Sequence, residues 1–126
     1  MIDLQMTMAQ AFQRVAGQHP DREALVCGAR RATYGQLMER MEALTRGLQE
    51  LGVRKGDRVA TVLYPCPEFI WLFFALARVG GVIVPINPQF RRRQLRHILS
   101  DADPMAVVVS AQVGEEALGT LRSWMS

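Results

Sequence analysis

The chain has 126 residues, 49% of them hydrophobic and 21% charged, which suits one domain folded around a core and excludes a disordered chain. A net charge of +3 is too mild to point to nucleic acid, and no apolar stretch reaches the ~18 residues that cross a bilayer. The opening MIDLQMTMAQAF lacks the basic-then-apolar order of a signal peptide, so a cytoplasmic location is expected.

In chain order, the first helix is predicted over residues 7–18, with Met8, Phe12 and Val15 on one face and Pro20 closing the segment. Residues 23–34 read as a hairpin: strand 23–27, a turn at Gly28-Ala29-Arg30-Arg31, and a return arm from Ala32 to Tyr34. Arg30 and Arg31 read as exposed turn residues. A helix is predicted over 34–51, because Thr33 and Gln36 have capping-box spacing. Leu37, Met41, Leu44, Leu48 and Leu51 then recur at four, three, four and three, as one packed face ended by Gly52.

From residue 58 to 125 the pattern is βαβαβα. Strands are predicted at Arg58–Leu63, Val82–Ile86 and Met105–Val109. Pro67 opens a helix with Glu68 near the positive end of its dipole, and FIWLFFALA is apolar on every side, so it needs cover all round. Pro85 belongs at a strand end, an edge or a bulge. Leu95, Ile98 and Leu99 face inward on a helix over 91–100, and Leu118, Leu121, Trp124 and Met125 do so on a helix over 115–125. The alternation implies an α/β fold: a three-layer, mostly parallel sheet with flanking helices.

Few residues suggest chemistry. Gly80-Gly81 follows a helix and precedes a strand, the reverse of a dinucleotide fingerprint, so it reads as a helix cap and turn with no phosphate. Cys27 and Cys66 lie outside any CxxC pair and are expected to be buried free thiols rather than a zinc site or disulfide. His19 and His97 have no nucleophile or carboxylate at motif spacing and read as solvated. Arg91, Arg92, Arg93 and Arg96 form either a solvated helix face or, being near a helix N-terminus, a place for an anionic partner.

The order of motifs adds a resemblance. Thr33-Tyr34-Gly35 with Leu37, Gly52-Val53, Lys55-Gly56-Asp57-Arg58-Val59-Ala60, Pro67-Glu68-Phe69, Gly80 through Pro85, and Asn87-Pro88 resemble the beginning of an adenylate-forming (AMP-binding) enzyme. That superfamily contains acyl-CoA synthetases, aryl-CoA ligases, luciferases and adenylation domains. The likeness runs from about Thr7 to Ser110 and implies part of the N-terminal domain of the acyl-CoA synthetase-like fold. It also implies a reaction in which ATP activates a fatty or aryl carboxylate as an acyl-adenylate, releasing pyrophosphate, with the acyl group then passing to coenzyme A.

The family's phosphate loop, its aromatic-Thr-Glu segment, its ribose-binding Asp and its C-terminal Lys all follow the matched region. The resemblance therefore implies no catalytic residue and no metal ligand in this chain, which is expected to be inactive alone. ATP, magnesium and CoA would serve the complete enzyme, with none expected bound here; the partners would be the remainder of the ligase chain and a carboxylic acid. Lys55, the only lysine, falls at a surface position and is not the catalytic one.

Two positions depart from the family. Pro65 stands where Asn is usual, and Gln89 stands where some CoA ligases carry a basic residue that meets the nucleotide phosphate of CoA. Arg91, Arg92 and Arg93, on the same turn, are the candidates for that contact. A non-ribosomal-type adenylation domain, or a stand-alone binding or scaffold module derived from the family, are the other readings. The apolar run from Phe69 to Phe74 leads us to expect a homodimer or a self-associating monomer.

Overall fold

The computed structural model of the chain describes residues 5–126, so the first four residues of the opening stretch lie outside the described residues. The described residues form two compact units: residues up to Lys55 with Cys66–Gly81, and Gly56–Pro65 with Val82–Ser126.

The first unit holds α1 (Met8–Gln18), the hairpin strands β1 (Glu23–Cys27) and β2 (Arg30–Thr33), α2 (Tyr34–Glu50) and α3 (Pro67–Val79). The same T-x-x-Q device starts two helices. The Thr7 N–H donates to Gln10 Oε1 and the Gln10 N–H to Thr7 Oγ1, at 2.9 and 3.1 Å. Thr33 and Gln36 repeat the pair at 2.9 and 3.1 Å. Each box satisfies two backbone donors that a helix start otherwise leaves free.

The buried face of α1 is Ala9, Phe12 and Ala16, one residue round from the expected face; Met8 is 60% and Val15 37% exposed. Small alanines let α1 sit close while Phe12 stacks on Phe74, with ring centroids 4.4 Å apart. On α2 the buried residues are Leu37, Met41, Thr45 and Leu48, whereas Leu51 at the C-cap is 73% exposed. Thr45 can lie in the core because its hydroxyl donates to the Met41 carbonyl at 2.8 Å. Gly35 lets the chain pass close here: a Cβ on it would come 3.1 Å from the Pro20 carbonyl oxygen, which would have to give by a few tenths of an ångström.

The hairpin turn is tighter than expected. Arg30 and Arg31 stand in β2, paired with Cys27 and Val26, and neither is a free turn residue. Arg30 Nη2 meets Glu68 Oε1 at 2.8 Å, and Arg31 Nη1 reaches both oxygens of Glu23 at 2.9 and 2.7 Å. The apolar α3 is only partly covered: Leu72, Ala75 and Leu76 are buried, whereas Phe69, Ile70, Trp71, Phe73 and Phe74 are half-buried. Two guanidiniums supply some of its cover, with Arg30 and Arg40 lying 5.8 and 5.4 Å from the centroid of the Trp71 ring.

At its far end α3 closes on Gly80 with φ 78°, and the Gly81 N–H bonds to the Leu76 carbonyl at 2.9 Å. This is the helix cap and turn expected of the glycine pair. A Cβ on Gly80 would lie 3.0 Å from Lys55 Cγ. The glycine thus provides both the left-handed backbone and room for the lysine stem.

The second unit holds β3 (Arg58–Val62), β4 (Val82–Ile86), α4 (Arg92–Ala102), β5 (Ala106–Val109) and α5 (Glu115–Met125). Its strands form a parallel sheet in the order β4-β3-β5, with Val59 facing Ile83 on one side and Ala106 on the other. With its flanking helices this is the α/β architecture expected from the alternating pattern. Central β3 is buried from Val59 to Val62, as its unbroken Val/Ala/Thr composition requires. β4 is an edge strand, which explains how Pro85 is tolerated, and Val82 at its start is 46% exposed, so this strand is less buried than expected.

The core joins Ala60, Val62 and Ile86 from the sheet to Leu95 and Leu99 of α4 and Leu121 of α5. Ile98, Leu118 and Trp124 pack against it half-buried; Met125 is 52% exposed, against expectation, because α5 ends there and Thr120 occupies the inner face.

Candidate functional site

The candidate site is built on the entry to α4. Asn87 shapes that entry: its side-chain oxygen accepts from the Gln89 N–H at 2.9 Å and its carbonyl from the Phe90 N–H at 3.0 Å. Phe90 packs against the sheet core, and Leu95 and Leu99 are fully buried below it, so the start of the helix is fixed. Arg91 is the N-cap residue; its backbone N–H donates to Gln94 Oε1 at 3.2 Å and its carbonyl accepts from Leu95.

Arg91, Arg92 and Arg93 are all exposed. The structure gathers Arg91 and Arg93 with Gln94, Arg96, His97 and Ser100 around one open depression, and leaves Arg92 off it. Arg96 Nη2 donates to Ser123 Oγ on α5 at 3.3 Å. Among the described residues no carboxylate forms an ion pair with these four arginines. Cations in the first turn of a helix also oppose its dipole. Unmatched positive charge beside free helix-start N–H groups attracts anions, phosphates above all. The site can bind and orient such a group. Gln89 is exposed on the same turn, and its side chain makes no hydrogen bond among the described residues.

The other singled-out residues do not join this site. His19 is exposed at the end of α1, and Lys55 is exposed beside Gly80. Cys27 and Cys66 are free but half-buried rather than buried. They flank the Arg30–Glu68 pair, since Cys27 faces Arg30 in the hairpin and Cys66 is the N-cap of α3. There Arg30's hydrogen bond, followed by the backbone N–H of Glu68, holds the Glu68 carboxyl below its ordinary range, and the same bond raises Arg30. Among the described residues no three His, Cys, Asp or Glu side chains converge on a possible metal position.

A parallel sheet with flanking helices places the chain in the α/β class. Residues 12–125 match the AMP-binding enzyme family, and the chain belongs to it. Over 110 residues it is 36% identical to crotonobetaine/carnitine–CoA ligase of Salmonella paratyphi B, covering 83% of this chain and 21% of that protein. Over 96 residues it is 38% identical to triostin synthetase I of Streptomyces triostinicus, covering 76% and 18%. The solved N-terminal subdomain of Klebsiella oxytoca NpsA, in complex with 3-hydroxybenzoyl-AMSN, superposes with a TM-score of 0.79 at 32% identity, covering 82% of this chain and 26% of that one. The chain thus spans about a fifth of the length of the curated relatives named here.

Proposed function

We propose that this chain is the N-terminal part of an ATP-dependent acyl-CoA synthetase, which joins a carboxylic acid to ATP as an acyl-adenylate and then transfers the acyl group to CoA. The observation that carries the reading is the family match over residues 12–125, together with a CoA ligase among the relatives. In this reading the chain's own contribution is scaffold and binding rather than chemistry. The sheet holds α4 in place, and Arg91 and Arg93, with Arg92 on the same turn, meet the nucleotide phosphate of CoA. ATP, magnesium and the reacting carboxylate are held by segments that follow these residues in the complete protein.

Triostin synthetase I and the NpsA subdomain favour a second reading, an adenylation domain of the non-ribosomal type that hands its product to a carrier-protein thiol. The two readings separate on the acceptor: CoA consumption by the complete protein supports the first, and acylation of a carrier protein with CoA ignored supports the second. Purified alone, the chain should release no pyrophosphate from ATP with any carboxylate of a broad panel. Release above the no-enzyme rate overturns the assignment of a scaffold role.

The half-buried aromatics of α3, beside an apolar groove lined by Met8, Phe12, Val15 and Phe74, support a homodimer of the isolated chain. Light scattering should show mass above that of a monomer as concentration rises; a constant monomer mass refutes it.

A further inference from the structure

We draw no further inference here: the strongest candidate, the apolar groove that Met8, Phe12, Val15 and Phe74 line between α1 and α3, belongs to the self-association already described, and nothing in the structure shows what else covers it.

Discussion

Two pairs of neighbouring arginines look alike in sequence and differ in the structure. Arg30 and Arg31 each meet a carboxylate, Glu68 and Glu23. Arg91 and Arg93 meet none among the described residues, and share their depression with Arg96 and His97. The first pair is structural: it fastens the hairpin and ties it to the start of α3. The second has its backbone fixed by Asn87 and Gln94 and its charge left unanswered. A charge whose partner is supplied by the fold marks architecture, and one left without an ion pair on a fixed turn is open to solvent or to a ligand.

The largest effect in testing this contrast comes from removing what seats the second pair. Leu99 is fully buried beneath α4, and Leu99→Ala should cost about 2–5 kcal/mol, read as a lower denaturation midpoint with loss of the α4 face. Next, Arg91→Gln, Arg92→Gln and Arg93→Gln together in the complete enzyme should raise the apparent Kd for CoA by ~10-fold or more while leaving stability unchanged or slightly better. An unchanged CoA affinity would end the phosphate assignment.

The smallest effect belongs to the first pair. Because Arg30 lowers the Glu68 carboxyl, the stability from this pair is fully present above the ordinary carboxylate range and is lost as pH falls through the lowered value. Both partners are about half exposed, so the change is small. Glu68→Gln should flatten the acid side of a urea-midpoint profile without moving the midpoint near neutrality far. An identical acid slope in parent and variant would show that the pair contributes nothing.

The sequence disclosed the parallel sheet, because strand and helix periods alternate cleanly from Arg58 onward and the caps at Thr33 and Gly80 are local signals. It disclosed less about which face each helix buries. Size alone favoured Met8 and Val15 over Ala9 and Ala16, yet the tight seat beside Phe74 selects alanine. Thr45 hides its hydroxyl on its own backbone, so its polarity concealed a core position. The first capping box was legible in Thr7 and Gln10 but was masked by the apolar residues around it. At the candidate site, Arg91 to Arg93 were visible as a run. The partners of Arg30 and the meeting of Arg40 with Trp71 depend on residues 38 and 31 positions away, which no local pattern encodes.

Lys55 lies with its stem against Gly80 and its amine at the surface. Being the only lysine, it offers an amine-directed reagent one side chain to react with. A dye or spin label attached there would report on the close of α3, with the α-amine as the other position such a reagent labels, and conjugation would leave every arginine untouched.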